Sequence, residues 1–300
     1  MALKEVRAMR GRYFWLIVVL TALTVVGEPA AWGYRQLDGP AKTTVGFQLY
    51  RDYLIVVPGS VGPLKGLHFL LDTGTNHTVL DPQLARKLHL DVTPAVIAGL
   101  SGDLKGGIAT VPSLELGPIR RSNVRVIIPD GSFAQDVFPF QFDGIVGLDV
   151  LGQSTFEIDY SSREIRFGPA PSMPDSTQLQ VKDGLAFVDA VLNHTPVRLL
   201  VDTGASSLVI FKELPDPASG QKGDVAQTLP KTVGDFSRKR IPQVSLELGE
   251  VEFGRRLVSV IPNHSDVYHD FDGLMSPAAL GITKIKIDLT QRTMAFAREQ

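Results

Sequence analysis

Residues 68–81 read HFLLDTGTNHTVLD, and residues 197–211 read VRLLVDTGASSLVIF. In both, an apolar run rich in strand formers leads up to an aspartate, a threonine and a glycine, where the chain must turn. A single Asp-Thr-Gly is a weak signal, since the glycine then only supplies a backbone conformation closed to other residues. Two in matched surroundings mean more. Asp72 and Asp202 are 130 residues apart, and FDGIVGLDVLGQSTFEIDYSSREIRF (142–167) recurs as FDGLMSPAALGITKIKIDLTQRTMAF (271–296) at an offset of 129. Between these blocks, SLELG at 113–117 recurs at 245–249. Three matched blocks in the same order make the chain an internal duplication. The segment GPAPSMPDST (168–177) carries three prolines among small polar residues and stands where the copies join. The expected organisation is a first lobe over 34–170, a linker over 171–177 and a second lobe over 178–300.

Each copy reads as short strands, so the expected fold class is mainly β. YLIVV (53–57), a turn over PGSVGPLKG and LHFLL (67–71) form a hairpin that delivers Asp72 at a strand end; LAFVDAVL, NHTP and VRLLV do the same for Asp202. DPQLARKLHL (81–90) is the expected helix of the first lobe, capped by Asp81, started by Pro82 and burying Leu84, Ala85 and Leu88.

The composition is ordinary for a globular chain of 300 residues, with 44% hydrophobic and 21% charged residues and a formal charge of −2. No strong field favours a nucleic-acid partner. The chain has no cysteine, which removes disulfides, thiolate metal sites and a thiol nucleophile. Lys4, Arg7, Arg10 and Arg12 precede an apolar stretch from Tyr13 to Val26, and Ala31-Trp32-Gly33 follows with small residues two apart. This pattern predicts a signal peptide over 1–33 and a secreted or periplasmic protein, an uncleaved N-terminal anchor being the alternative. Fourteen apolar residues are short for a spanning helix, which needs roughly 20.

Two equivalent turns in a duplicated chain meet if the copies pack about a pseudo-two-fold axis. Facing carboxylates cannot both ionise, so the pair holds one shared proton over a wide pH range. The ionised member takes a proton from a water while the protonated one donates to a substrate carbonyl oxygen. Thr73 and Thr203 are placed to bond across the two loops. Gly74 and Gly204 let backbone N–H groups turn towards the carboxylates.

These residues resemble the aspartic proteases, and in particular the retropepsin-like group with its hydrophobic-Asp-Thr-Gly turn. The resemblance implies a bilobal β fold with two pseudo-symmetric lobes, a cleft for an extended peptide or protein substrate, and hydrolysis by Asp72 and Asp202. No cofactor or metal is expected, and one chain supplies both halves as a monomer. The resemblance extends to the downstream hydrophobic-hydrophobic-Gly elements, here Ile145-Val146-Gly147 and Leu274-Met275-Ser276. It also suggests a flap over 97–111, with Gly99, Leu100, Ser101, Gly102, Gly106 and Gly107, although a plain glycine-rich loop is the alternative. The second lobe's counterpart, 229–242, carries Lys231, Arg238, Lys239 and Arg240, which read as a solvated face or as a preference for acidic substrates.

Two departures stand out. Ser276 replaces the expected glycine and would be strained by roughly 1 kcal/mol or more if the position needs a positive φ. A catalytically impaired peptide-binding protein is therefore the rival reading. Thr75 follows the first Asp-Thr-Gly and Ala205 the second; a Thr75 hydroxyl bonded to Asp72 would favour its ionised form and leave the proton on Asp202. Elsewhere, His264, Asp266, His269, Asp270 and Asp272 have metal-ligand chemistry but read better as a solvated loop.

Overall fold

The computed structural model describes residues 24–25, 43–99, 103–130, 142–212, 239–260 and 270–299. These residues are mainly strand, gathered in three sheets. The first repeat forms a nine-stranded sheet whose order is Thr24–Val25, Thr93–Ala98, Leu104–Leu116, Ile119–Pro129, Thr78–Leu80, Gly144–Val146, Leu64–Leu71, Leu54–Val61 and Gln48–Tyr50. Pairing of Ser60 and Val61 with Glu115 and Leu114 closes six of these strands into a ring. The second repeat forms a seven-stranded sheet in which Leu185–Leu192 pairs with Lys239–Leu248 to close the equivalent ring.

One feature of each ring positions the Asp-Thr-Gly turn. In the first repeat Gly144–Val146 lies parallel to Leu64–Leu71 and antiparallel to Thr78–Leu80, wedged between the strands on either side of the turn. Gly273–Met275 does the same between Thr195–Val201 and Leu208–Ile210. The wedge needs glycine at its start: a Cβ on Gly144 would lie 2.4 Å from the Val79 carbonyl oxygen, and one on Gly273 2.0 Å from that of Val209. The duplicated Phe-Asp-Gly thus exists for backbone packing. Its aspartates carry part of it, since Asp143 and Asp272 accept from the backbone N–H groups of His68 and Arg198.

A third, six-stranded sheet joins the repeats: Asp175–Gln178, Thr293–Arg298, Ile282–Asp288, Phe156–Asp159, Glu164–Phe167 and Thr44–Gly46. At its centre Phe156–Asp159 and Ile282–Asp288, matched segments of the two copies, run antiparallel with Ile158 opposite Ile285. Alternating residues Phe156, Ile158, Ile285, Ile287 and Phe296 are buried beneath both repeats in one continuous core. Asp175–Gln178 ends the Pro-rich segment read as a linker, yet it is a strand of this sheet, because Asp175 to Gln178 pair with Phe296 to Thr293.

Two local expectations need correction. The long Pro/Gly turn after YLIVV is instead a tight one: the flanking strands run to Val61 and resume at Leu64, with a bulge between Gly59 and Val61 that absorbs the irregular residues. The helix is shorter than the pattern suggested, Pro82–Lys87, though Asp81 caps it by accepting from the Gln83 N–H and Leu84 and Ala85 are buried. Among the described residues no helix is long and apolar enough to cross a membrane. Most of the N-terminal segment expected to be a signal peptide lies outside the described residues; Thr24–Val25 pairs with Ala98 and Ile97.

Candidate active site

The strands Leu64–Leu71 and Thr195–Val201 deliver Asp72 and Asp202 to buried positions, where the residues are 3% and 0% exposed. The backbone N–H of Asp72 donates to the Val146 carbonyl and that of Asp202 to Met275, each at 3.0 Å. This is the task of the two hydrophobic-hydrophobic-Gly/Ser elements, whose Ile145, Val146, Leu274 and Met275 are buried in the wedge strands. Within each turn the glycine N–H points back at the acid: Gly74 to Asp72 Oδ1 at 2.7 Å and Gly204 to Asp202 Oδ1 at 2.8 Å. Ala205 adds a third N–H, to Asp202 Oδ1, at 2.9 Å.

The threonines tie the repeats together by four reciprocal bonds. The Thr73 hydroxyl donates to the Val201 carbonyl at 2.7 Å and accepts from the Thr203 N–H at 3.1 Å. The Thr203 hydroxyl donates to the Leu71 carbonyl at 3.1 Å and accepts from the Thr73 N–H at 3.0 Å. Both side chains are buried, so each hydroxyl satisfies one donor and one acceptor that would otherwise be stranded. Serine in place of threonine would keep these bonds and lose only packing.

Burial pushes the Asp72 carboxyl up to about 7, against the N–H of Gly74, the Asp202 carboxyl and the N–H of Gly204, which hydrogen-bond to it and draw it down. The two carboxyls therefore influence one another, and a proton is retained at this point well above the ordinary carboxylate range. Burial is the largest influence on Asp72, and it raises that carboxyl where a hydroxyl bond would depress it. The Thr75 hydroxyl donates to the His77 carbonyl at 3.1 Å and accepts from the His77 N–H at 3.3 Å. The His77 ring is lowered to about 4 by burial and by Arg125, so it is neutral at working pH.

Ser276 is not strained. Its counterpart Gly147 has φ −95°, and Ser276 is absent from the positive-φ residues, so the position never required glycine's freedom. Glycine is needed in the first repeat for another reason: a Cβ there would meet the Thr75 carbonyl oxygen at 2.8 Å and the His77 carbonyl group at 3.0 Å. The second repeat accommodates the side chain, and the Ser276 hydroxyl accepts from the Ala279 N–H at 3.3 Å at the start of the short 3-10 helix Ala278–Leu280.

The expected flap is a hairpin of Thr93–Ala98 and Leu104–Leu116, with Gly99 buried beside its tip. Leu100, Ser101 and Gly102 lie outside the described residues. Gly106 and Gly107 do not belong to the tip. They pair on both sides, with Ala95 and Pro94 and with Pro129 and Ile128, and a Cβ on them would meet the Ile128 and Thr93 carbonyl oxygens at 2.6 and 2.7 Å. Close strand packing explains these glycines, and mobility does not. Lys231 and Arg238 of the matching second-repeat segment lie outside the described residues, as do His264, Asp266 and His269. Asp270 pairs with Lys182 and Asp272 with Lys212.

Three features near the acids escaped the sequence reading. Asp149, in the short helix Leu148–Leu151, accepts from the Thr78 hydroxyl at 2.8 Å and the Thr78 N–H at 2.9 Å, and burial pushes it up to about 7. Tyr160 is half-buried against the core, its phenol raised by burial and by Asp202. Tyr53, 8% exposed, lies near Asp202, and burial pushes its phenol up to about 12. Aligning the repeats exposes the first, since Thr78 and Asp149 both change, to Leu208 and Ala278.

Residues 57–150 match the family model described as aspartyl protease, which supports placing the first repeat with that family. The match ends at Val150 and leaves the second repeat outside it. No curated protein matches the chain.

Proposed function

We propose that the protein is an aspartic endopeptidase that hydrolyses peptide bonds with the Asp72–Asp202 pair. The observation that carries this reading is that the reciprocal Thr73–Thr203 bonds hold the two Asp-Thr-Gly turns together with both aspartates buried. With one proton on the pair, the ionised carboxylate removes a proton from a water as it adds to the scissile carbonyl. The protonated partner donates to the carbonyl oxygen, and return of a proton to the departing amine breaks the C–N bond. The backbone N–H groups of Gly74, Gly204 and Ala205 stabilise the ionised forms without needing to reorganise. Activity is lost as pH rises through about 7, where the shared proton leaves.

The substrate is an extended peptide in the cleft, reached by one chain acting as a monomer, and the basic, apolar N-terminus directs that chain to the secretory or periplasmic side of a membrane. The rival reading, an impaired peptide-binding protein, drew its support from strain at Ser276, and the ordinary φ there removes that support. The test mixes the full chain with a diverse peptide library from pH 3 to 8 and reads new termini by mass spectrometry beside an Asp202→Asn control. Cleavage that vanishes in the control is expected. Cleavage that persists in it, or none at any pH from folded protein, overturns the proposal.

A further inference from the structure

A cavity of about 330 Å³ opens in the second repeat, with neither Asp72 nor Asp202 in its lining. It lies where the edge strand Gln180–Lys182 of the seven-stranded sheet meets the turn at Arg292 in the six-stranded sheet, the Leu179 N–H donating to the Arg292 carbonyl. Phe187, 5% exposed and paired with Gln180, supplies an apolar surface inside it. Among the described residues the charged lining is three cations, Lys182, Arg198 and Arg292, and one acid, Asp270. Lys182 pairs with Asp270, and Arg198 with Asp189 at 3.3 Å. Both pairs are largely exposed and so contribute little, which leaves their cations open to a competing carboxylate. Arg292 is exposed and makes no ion pair among the described residues.

The cavity is tied to both Asp-Thr-Gly turns. Asp183, directly after Lys182, carries the carbonyl that accepts from Asn76 Nδ2 at 2.7 Å, and Asn76 stands four residues beyond Asp72. Phe187 belongs to an apolar cluster with Leu200, Ala205 and Leu274, and the Ala205 N–H donates to Asp202 Oδ1 at 2.9 Å. We propose that this cavity is a subsite for the carboxylate side chain of an acidic residue in the peptide substrate, a few residues from the bond that is cut. An extended peptide advances about 3.3 Å per residue with side chains on alternate sides, so one that runs from the acids along this hairpin presents a side chain to the cavity. The methylenes of a glutamate cover Phe187 while its carboxylate takes the planar forks of Arg198 and Arg292.

This inference rests on the dyad reading of the previous section, and the test separates the two. A C-terminally amidated peptide library, whose only carboxylates are side chains, is offered to the full chain for cleavage and to Asp202→Asn for capture without turnover. Acidic residues are expected to be enriched at one fixed position in both the cleaved and the captured peptides. For a matched pair of peptides with Glu or Gln at that position, the parent chain is expected to favour Glu about tenfold in kcat/KM, the gain lying in KM. Arg198→Gln with Arg292→Gln is expected to bring that ratio below about twofold. Arg166→Gln, in the six-stranded sheet and outside the cavity lining, is expected to keep the parent ratio. No acidic enrichment in either arm, or a Glu preference that survives the double substitution, overturns the subsite. If the parent cleaves nothing while capture still selects acidic peptides through Arg198 and Arg292, the dyad reading fails and the subsite stands. Cleavage without acidic preference has the opposite meaning. Should the double variant not fold, Arg292→Gln decides alone, because it changes only an exposed turn: the Glu preference is expected to fall at least about threefold, and an unchanged preference overturns the subsite.

Discussion

Behind the first Asp-Thr-Gly turn, Thr78 and the half-buried Asp149 form a hydrogen-bonded pair; behind the second, the same places hold the apolar Leu208 and Ala278. The repeats also differ at Gly147 and Ser276, which directly follow the wedge strands. In front of the turns the repeats are alike to within about 0.1 Å in the bonds from Gly74 and Gly204, and the threonine bonds are reciprocal. The two copies share the parts that meet at the carboxyls and differ in how each turn is supported from its own core. Either a satisfied polar pair or an apolar pair serves as support, since what costs stability is a half-satisfied arrangement.

The threonine bonds offer the largest break in this comparison. Thr73→Val and Thr203→Val each remove a buried hydroxyl that makes two inter-repeat bonds, and each is expected to cost about 2–4 kcal/mol, with loss of activity. Chemical denaturation measures whether the two losses match; a tolerated substitution on one side alone would show that the joint is not symmetric.

Next comes a transplant of one repeat's support into the other. Asp149→Ala alone strands the Thr78 hydroxyl and N–H, at a cost of about 2–3 kcal/mol. Thr78→Leu added to Asp149→Ala copies the second repeat and is expected to recover more than half of that loss in the same unfolding assay. Asp149 also has a pH signature. Its pKa is raised in the folded chain to about 7, against about 3.9 in the unfolded chain, so its contribution to stability is full below about pH 4 and is lost as pH rises through about 7. Asp72 shifts in the same direction. Asp149→Asn should therefore make the decline of Tm between about pH 4 and 7 shallower without abolishing it.

The smallest effects come from exchanging the residues after the wedge strands. Gly147→Ser drives a Cβ into the Thr75 and His77 backbone and is expected to cost about 1–3 kcal/mol, with reduced kcat. Ser276→Gly removes one long hydrogen bond and adds chain entropy to the unfolded state, at about 1 kcal/mol and with kcat unchanged. Thermal unfolding and steady-state kinetics on the pair distinguish this asymmetry from equal sensitivity of the two sites.

Much of this was legible in the sequence because the decisive signals are local and repeated. Two Asp-Thr-Gly turns after strand-forming runs gave the acids, the threonine bridge and the duplicated β architecture. Spacing alone also suggested the Asp81-capped helix. What the sequence hid depends on distance in space. The crowding that requires Gly106, Gly107 and Gly147 comes from neighbouring backbone, and it looks the same in sequence as flexibility or positive φ. Asn76 reads as an ordinary loop residue, and only the fold brings its amide to the Asp183 carbonyl of the opposite repeat. The strand at Asp175–Gln178 is polar and partly exposed at a sheet edge, so no apolar alternation marks it.

The central claim is that Asp72 and Asp202 act as one unit. Its most direct test is the kcat for a library-derived peptide in Asp72→Asn, in Asp202→Asn and in the double variant. Each single substitution is expected to lower kcat by about a thousandfold or more, with the double variant no slower, because removing either member of a cooperating pair removes the function of both. Substantial turnover in either single variant, or losses that add on a logarithmic scale, would contradict the account.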